Sequence, residues 1–320
     1  MTTWWEETFP AGRQTLSIQD EGGRRVAIAY GEIGSGPPLV LVHGIGVWSY
    51  CWRRVVVPLS HHFRVICFDA VGSGFSEKPL YPLTLGHQVG ELAAVIDALC
   101  DRPPILVAES LGALTSLGLA IESPERVERL VLINVPVFPK RLPSQGMRVL
   151  AAIPQPLVEW VDEQRLFKQF APLVYELSKR ARHEVVVNPN EIKEDEIRQA
   201  TYPYIELPGT LSKFSEDLKL AFHEIENLLN GRPSRIQQIQ QALPGLTCPT
   251  LILWGDRDQW FPPEDGIELH RHLPNATLKI LPNCGHQASV EGSAGVVRAI
   301  LEYLELTEST TVEAQGAVHP

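Results

Sequence analysis

Residues 105–112 have the sequence Ile-Leu-Val-Ala-Glu-Ser-Leu-Gly and hold the strongest structural signal in the chain. The first three predict a short buried strand, and the apolar run from Ala113 to Glu122 predicts a helix directly after it. A serine in the sharp turn between a strand and a helix is typical of a nucleophile elbow when small residues lie two places before and after it. Ala108 and Gly112 meet that requirement. The alternative is an ordinary serine cap at the start of a helix, so the rest of the chain has to decide.

The composition predicts a globular protein and excludes several classes of partner. The chain has 320 residues, of which 44% are hydrophobic and 21% charged, as in an ordinary soluble domain. A formal net charge of −10 argues against nucleic acid or an anionic membrane as the main partner. Five cysteines without a CxxC pair suggest neither a disulfide framework nor a zinc site, and they favour free thiols in a reducing compartment.

The sequence also predicts where the protein acts. No stretch approaches the roughly 20 apolar residues of a membrane span. Residues 1–10 include two Trp and two Glu and lack the apolar core of a signal peptide. We therefore expect a cytoplasmic protein without a membrane span.

Short apolar segments alternate with helical segments at both ends of the chain. A hairpin is predicted at 14–30, and strands are predicted at Pro38–Val42, Phe63–Phe68, Ile105–Val107, Val127–Ile133, Thr250–Trp254 and Ala276–Leu281. Continuous apolar strands separated by helices predict an α/β fold, with a mostly parallel central sheet and helices on both faces.

Residues 136–243 break this alternation. They predict several helices, among them one at Leu157–Phe170, with a possible strand only at Glu184–Val187. We interpret the segment as a helical cap inserted into an α/β core formed by residues 1–135 and 244–306; a separate helical domain is the alternative. Residues 307–320 are polar and aperiodic and predict a flexible tail.

Three residues with complementary chemistry each follow a predicted strand. They are Ser110, Asp258 and His286. Because the carboxyl ends of parallel strands open onto one crevice, we expect these side chains to lie together. A nucleophilic serine needs a histidine to take its proton, and the histidine needs a carboxylate to orient it. Asp256 is an alternative carboxylate, which could instead cap the turn.

An acyl-transfer site also needs hydrogen-bond donors for the oxyanion. The backbone N–H of Leu111, directly after the serine, is one candidate. The N–H of Ile45, between two glycines in the loop after the Pro38–Val42 strand, is the other. We interpret His43 as a structural residue of that loop. The glycine-rich turn Asp69–Ser76 lacks the spacing of a phosphate-binding loop, so a structural turn is expected there.

These motifs resemble those of the α/β-hydrolase superfamily, in the branch with a cap after the sixth strand. The matching segments lie between about residues 25 and 305 and are His43-Gly44-Ile45-Gly46, Asp69 to Ser76, Ala108 to Gly112, Gly255 to Asp258 and Gly285-His286. The resemblance implies the α/β-hydrolase fold, and the order serine, acid, histidine is the family's own. It also favours Asp258 over Asp256, because the family pattern places the acid there.

Departures from the family pattern narrow the chemistry. Ser110 stands where related epoxide hydrolases and haloalkane dehalogenases carry Asp, which argues against both activities because they need a carboxylate nucleophile. Gln287 stands where hydrolases of carbon–carbon bonds usually carry Trp, which argues against that activity. Ala108 replaces the usual glycine of the elbow and leaves the assignment of Ser110 unchanged.

The sequence therefore predicts a serine hydrolase, independent of metal and organic cofactors, that cleaves a carboxylic ester or related acyl substrate through an acyl-enzyme. One alternative is another reaction on the same fold: carbon–carbon bond hydrolysis, a lyase reaction or acyl transfer. The other is a receptor that binds a small ligand with slow turnover or none. Substrate identity and oligomeric state are not predicted.

A small, largely apolar acyl molecule is the expected substrate. The residues that we expect to line its pocket follow the catalytic strands or adjoin the serine, and they are Gly44, Trp48, Glu109, Trp260 and Phe261.

Overall fold

A mostly parallel β-sheet forms the centre of the molecule. The computed structural model describes residues 3–20, 22–81 and 83–315, with side chains as far as residue 304. Its strands are Gln14–Gln19 (β1), Arg25–Ile33 (β2), Pro38–Val42 (β3), Arg64–Phe68 (β4), Ile105–Glu109 (β5), Arg129–Ile133 (β6), Thr250–Gly255 (β7) and Ala276–Leu281 (β8). Their order is β1-β2-β4-β3-β5-β6-β7-β8. Strand β2 is antiparallel to both neighbours, and β3 to β8 are parallel, which confirms the predicted sheet.

Helices connect the strands and fill the long segment between β6 and β7. They are Trp4–Thr8 (α1), Val56–Ser60 (α2), Leu85–Leu99 (α3), Leu111–Glu122 (α4), Gln145–Ala152 (α5), Gln155–Glu163 (α6), Leu166–Gln169 (α7), Ala171–Ala181 (α8), Glu194–Glu206 (α9), Thr210–Leu229 (α10), Arg235–Ala242 (α11), Pro263–His272 (α12) and Ser293–Gln315 (α13). Short 3₁₀ turns at Ser49–Trp52, Pro124–Arg126, Arg182–Glu184, Pro189–Glu191 and Leu243–Gly245 join several of them.

The two faces of the sheet bury alternate residues of each strand, because successive side chains point to opposite sides. In β5, Leu106 and Ala108 belong to the apolar core that includes side chains of α3, α4 and α12. Ile105 and Val107 belong to the core that includes side chains of α1, α2 and α13. Helices therefore cover both faces, as the continuous apolar strands predicted.

The segment between β6 and β7 consists mainly of the helices α5 to α11, at the place where the sequence predicts an inserted cap, and we call this segment the cap. The helix predicted at Leu157–Phe170 is divided into α6 and α7, because Arg165 adopts a φ of 57°, which a continuous right-handed helix does not allow. The prediction of a possible strand at Glu184–Val187 is wrong, because Glu184 ends a 3₁₀ turn and residues 185–187 form a loop.

The C-terminal helix is longer than predicted. The sequence predicted a flexible tail from residue 307, whereas α13 continues to Gln315. Extending an existing helix costs little, since each added residue gains one backbone hydrogen bond without a new nucleus. The rest of the predicted tail, residues 316–320, lies outside the described residues.

Polar contacts attach the cap to the sheet domain. Glu196 of α9 accepts hydrogen bonds from Arg53 Nε at 2.8 Å and from Arg54 Nη2 at 3.0 Å. Nearby, the Trp48 indole N–H donates to the carbonyl oxygen of Ala200 at 3.2 Å. These contacts fix the position of α9 over the loop that follows β3.

Candidate active site

Ser110 occupies a strained turn between β5 and α4. Its φ of 55° and ψ of −122° lie outside the regions that an L-residue ordinarily adopts. A Cβ atom at Gly112 would overlap the carbonyl oxygens of Val42 and His43, so only glycine fits at that position. The turn holds the Ser110 hydroxyl at the carboxyl end of β5, which is the geometry of a nucleophile elbow.

A continuous chain of hydrogen bonds joins Ser110, His286 and Asp258. His286 Nε2 lies 3.0 Å from Ser110 Oγ, and His286 Nδ1 lies 2.8 Å from Asp258 Oδ2. The three residues are 8%, 3% and 5% exposed, respectively, so water competes little for these bonds. This arrangement can pass a proton from the serine to the histidine while the carboxylate orients the ring.

The two candidate carboxylates occupy different positions. Asp258 Oδ1 accepts hydrogen bonds from the N–H groups of Trp260 and Phe261, at 2.8 and 3.1 Å, which leaves Oδ2 for His286. Asp256 Oδ1 instead accepts the N–H of Cys284 at 3.0 Å. Asp258 contacts the histidine, whereas Asp256 braces the turn that precedes it.

Burial and Asp258 act in opposite directions on the pKa of His286. Burial lowers the pKa, but the charge and hydrogen bond of Asp258, together with the charge of Glu109, raise it more, so the pKa lies above its ordinary value. Trp260 and Phe261 pack beside the imidazole, with ring centroids 4.7 and 5.5 Å from it. The histidine is therefore a better base than an isolated imidazole, and its ring is held in place.

Two backbone N–H groups close to Ser110 have no acceptor among the described residues. They belong to Leu111, the first residue of α4, and to Ile45, in the loop after β3. Both residues line the same cavity as Ser110. A Cβ on Gly44 would lie 3.0 Å from Ser110 Cβ, so this glycine lets the loop approach the serine. Both N–H groups are available to a negative charge that develops beside Ser110.

His43 and Asp69 hold the loops around this site. His43 Nδ1 lies 2.8 Å from the carbonyl oxygen of Gly44, and Nε2 accepts the N–H of Ala70 at 3.0 Å. A neutral ring with its proton on Nδ1 satisfies both contacts, and burial lowers the pKa of His43 in agreement with that form. The Asp69 carboxylate accepts two hydrogen bonds from Ser49, after the loop that follows β3, and one from the N–H of Phe75 in its own turn. These contacts fit the structural interpretation of His43 and of the turn Asp69–Ser76.

Two residues expected in the pocket lie elsewhere. The Glu109 side chain lies on the same face of β5 as Val107, opposite to the face of Ala108. It accepts hydrogen bonds from the N–H and hydroxyl of Ser289, at 2.9 and 2.7 Å. Burial raises the pKa of Glu109. Trp48 is buried in an aromatic cluster with residues of α1, a helix that the sequence reasoning did not predict. Strand alternation thus explains why the Glu109 side chain lies away from the cavity, and packing against the N-terminal segment explains the position of Trp48.

The cavity that contains Ser110 has mainly apolar walls. Trp260 and Phe261 line it, whereas Gly44 lines a smaller adjoining cavity. Further apolar side chains come from the sheet domain and from the cap, among them Leu83, Leu114, Met147, Leu218, Phe222 and Ile225. The cap therefore forms part of the wall that faces the serine.

Asn134 is a residue of this site that the sequence reasoning missed. It follows β6, is fully buried and adopts a φ of 48°. Its Nδ2 donates to the carbonyl oxygens of Gly285 and His286, at 3.2 and 2.7 Å, and its Oδ1 accepts the N–H of Gly255 at 2.9 Å. Asn134 thus connects the loops that carry Asp258 and His286. An isolated Asn after a strand offers no distinctive sequence signal.

Other features of the described chain concern metals, membranes and thiols. Among the described residues, no three His, Cys, Asp or Glu side chains form a group suited to a metal ion. Within the same ranges, no helix combines the length and apolar character needed to cross a bilayer. All five cysteines are unpaired thiols, and each is at least partly buried.

Comparison with known proteins identifies the class to which this fold and site belong. The family described as "alpha/beta hydrolase fold" matches residues 37–293, and the chain belongs to that family. Cis-3-alkyl-4-alkyloxetan-2-one decarboxylase of Shewanella oneidensis is 28% identical over 292 residues, covering 89% of this chain and 87% of the relative. 2-hydroxy-6-oxo-2,4-heptadienoate hydrolase of Pseudomonas putida is 28% identical over 280 residues, covering 85% and 91%.

A solved structure shares the same fold. It is a thermophilic esterase from Thermogutta terrifontis, with a TM-score of 0.71 at 23% identity, covering 91% of this chain and 98% of that chain. The similar proteins thus carry different reaction names, and the family membership supports a hydrolase without fixing the bond that it cleaves.

Proposed function

We propose that the protein is a serine hydrolase, independent of metal and organic cofactors, that cleaves a carboxylic ester or a related acyl compound through an acyl-enzyme. The observation that carries the proposal is the buried hydrogen-bond chain from Ser110 Oγ through His286 to Asp258. A serine is a weak nucleophile until a base accepts its proton, and this arrangement supplies the base and orients it.

Acylation begins when Ser110 Oγ attacks the substrate carbonyl carbon. As the new C–O bond forms, the hydroxyl proton passes to His286 Nε2, and the carbonyl π electrons move onto the oxygen. The N–H groups of Leu111 and Ile45 donate to that oxyanion. Asp258 accepts the hydrogen bond from Nδ1–H and stabilises the imidazolium.

Collapse of the tetrahedral intermediate completes acylation: it expels the alcohol oxygen, which takes the proton from His286, and the acyl group stays on Ser110. Deacylation repeats these steps with water as the nucleophile. A water molecule then gives its proton to His286 and attacks the acyl carbon, after which the carboxylic acid leaves and Ser110 regains its proton. Acylation and deacylation thus replace one step of high activation barrier with two steps of lower barrier.

The cavity favours a small, largely apolar substrate, because its walls from Trp260, Phe261 and Phe222 are apolar. Five buried or partly buried free thiols are compatible with a reducing compartment, which supports the proposal that the protein acts in the cytoplasm.

Carbon–carbon bond hydrolysis is the second candidate function. The observation that favours it is the similarity to 2-hydroxy-6-oxo-2,4-heptadienoate hydrolase over 85% of the chain. The same serine, base and oxyanion donors would serve that reaction. Gln287 after the histidine still argues against it.

The test is hydrolysis of a chain-length series of chromogenic esters, together with labelling by a fluorophosphonate probe. Ser110→Ala should reduce ester hydrolysis about 10⁴-fold or more and abolish labelling. Ser17→Ala, which changes an exposed serine on β1, is the matched control and should retain both. Activity and labelling that persist in Ser110→Ala would refute the mechanism. Wild-type turnover of a vinylogous 1,5-diketone, without turnover of esters, would favour the second candidate.

A further inference from the structure

Asp217 is an acidic residue on the mainly apolar wall of the Ser110 cavity. It lies on α10. Its Oδ1 atom is enclosed by protein and accepts no hydrogen bond from any residue in the described ranges. Glu224, another carboxylate on this wall, accepts the backbone N–H of Arg235. Because Oδ1 is enclosed, Oδ2 is the oxygen that can meet a molecule in the cavity, and no donor from the described residues reaches Oδ2 either. An acid without a donor on the wall of this cavity points to a partner from outside the chain.

The basic residue one helical turn away does not supply that donor. Lys213 donates to the carbonyl oxygen of Tyr81 at 2.8 Å and to the carboxylate of Glu216 at 2.6 Å. Burial and the charge of Glu216 raise the pKa of Asp217 to about 7, although Lys213 acts in the opposite direction. The carboxylate is thus desolvated without a compensating hydrogen bond at Oδ1.

A second carboxylate lies in the adjoining smaller cavity. Glu91 of α3 lines this cavity together with Asp217, and Gln88 and Leu111 line both cavities. Glu91 is buried, and its Oε1 accepts the N–H of Val71 at 2.6 Å. Burial, supplemented by the negative charge of Asp217, raises the pKa of Glu91 to about 8. Two acidic side chains, one from the cap and one from the sheet domain, therefore line adjoining cavities, and Asp217 lines both of them, including the one that contains Ser110.

We propose that Asp217 and Glu91 form a substrate subsite that accepts hydrogen bonds from a hydroxyl or ammonium group carried away from the acyl carbonyl. Above about pH 8 both groups are ionised, so their oxygens only accept and the missing partner has to donate. An anionic substituent is rejected there, because the two negative charges repel it, and we therefore make the comparison at about pH 8.5. The inference rests on the proposed function and defines its substrates as hydroxylated or amino-substituted esters rather than plain alkyl or carboxylated ones.

The kinetic test compares methyl esters of matched length. The series are alkanoates and their ω-hydroxy, ω-amino and ω-carboxy derivatives, with hexanoyl, octanoyl and decanoyl chains, and acid release is measured with a pH indicator. At one chain length, kcat/KM for a donor-bearing ester should exceed that for the alkyl ester about tenfold or more. The carboxylated ester should be the poorest substrate. The hydroxy and amino arms distinguish the two donors.

Variants assign the preference to Asp217. Asp217→Leu replaces the carboxylate with an apolar side chain of similar size, and it should reduce the preference for the donor-bearing ester about tenfold or more. Asp217→Asn keeps an acceptor and should retain part of the preference for the hydroxyl. Glu226→Gln, an exposed residue of the same helix, is the matched control and should leave the ratio unchanged. Asp217→Leu should also raise the melting temperature, because it removes an unpaired enclosed acceptor, whereas a merely structural acid would lower it.

A binding experiment separates this inference from the proposed function. Calorimetry with Ser110→Ala should show tighter binding of the donor-bearing ester than of the alkyl ester, and Asp217→Leu in the same background should remove the difference. Equal hydrolysis of donor and alkyl esters by the wild type would overturn the subsite and leave the serine hydrolase standing. Selective binding without wild-type hydrolysis of any ester would retain the subsite and overturn the hydrolase. Equal binding and no hydrolysis would overturn both.

Discussion

Replacing Asn134 should weaken the attachment of the two loops that carry Asp258 and His286. The Asn134 side chain is fully buried and makes three hydrogen bonds to those loops. Glycine adopts the observed φ of 48° without strain. Asn134→Gly therefore removes the three bonds while the backbone keeps its conformation.

The expected loss of stability follows from these bonds. Each contributes about 0.5–1.5 kcal/mol net, so the three contribute about 1.5–4.5 kcal/mol. Glycine also increases the freedom of the unfolded chain, at about 0.5–1 kcal/mol. The free energy of unfolding should thus fall by about 2–5.5 kcal/mol, a large part of the about 5–15 kcal/mol typical of a domain.

Asn283 provides a matched control for the backbone contribution. It also adopts a positive φ, 52°, but it is exposed, and its side chain makes no hydrogen bond to the part of the chain that the structure describes. Asn283→Gly should cost less than about 1 kcal/mol. Urea denaturation of both variants, followed by far-ultraviolet circular dichroism, gives the difference that isolates the three bonds.

The reasoning fails if the two glycine variants lose the same free energy of unfolding to within about 0.5 kcal/mol. In that case the loops would be held by other contacts, such as the bond from Cys284 N–H to Asp256. If Asn134→Gly loses the expected free energy of unfolding while ester hydrolysis is unchanged, the three hydrogen bonds stabilise the fold without positioning His286.

Two further predictions concern charge. Ester hydrolysis should rise with pH as His286 loses its proton, and the midpoint of this rise in kcat/KM should lie above about pH 6.5. Asp258→Asn should move that midpoint to lower pH, because the effect of burial on the pKa of His286 then outweighs the effect of the remaining negative charge of Glu109. Glu196→Gln should lower the free energy of unfolding by more than about 1 kcal/mol, since it disrupts a largely buried pairing with two arginines. Glu194→Gln, at an exposed pair on the same helix, should cost less than about 0.5 kcal/mol.

Either charge prediction can be refuted directly. A pH midpoint that stays in place in Asp258→Asn would mean that another group sets the profile. Equal losses of stability in Glu196→Gln and Glu194→Gln would mean that the contact between α9 and the sheet domain contributes little.

The general position of the site was predictable because the parallel strands end at one edge of the sheet. The strands before Ser110, Asp258 and His286 are apolar runs that stand out in the sequence, and their polar successors share that edge by topology alone. Register and side-chain detail were not needed to bring these three residues into one region. The structure then gives the separations of 3.0 and 2.8 Å.

Side-chain direction was harder to predict than strand position. Glu109 adjoins Ser110 in sequence, but strand alternation turns it to the other face, where it contacts Ser289. Trp48 follows the oxyanion loop, but its ring packs against α1, a five-residue helix too short to produce a periodic pattern. Asp217 is one of several acids on an amphipathic helix, and only tertiary structure shows that it lines the cavity.

The structure divides chemistry and selectivity between two parts of the chain for a physical reason. Ser110, Asp258 and His286 follow strands of one hydrogen-bonded sheet, so the distances between them depend on the sheet. Asp217 and Phe222 reach the cavity from α10, which belongs to the inserted cap. A substitution on α10 can therefore change which substrate fits without moving the reacting groups. On the proposed function, we therefore expect the wall formed by α10, rather than the strand ends, to select the substrate.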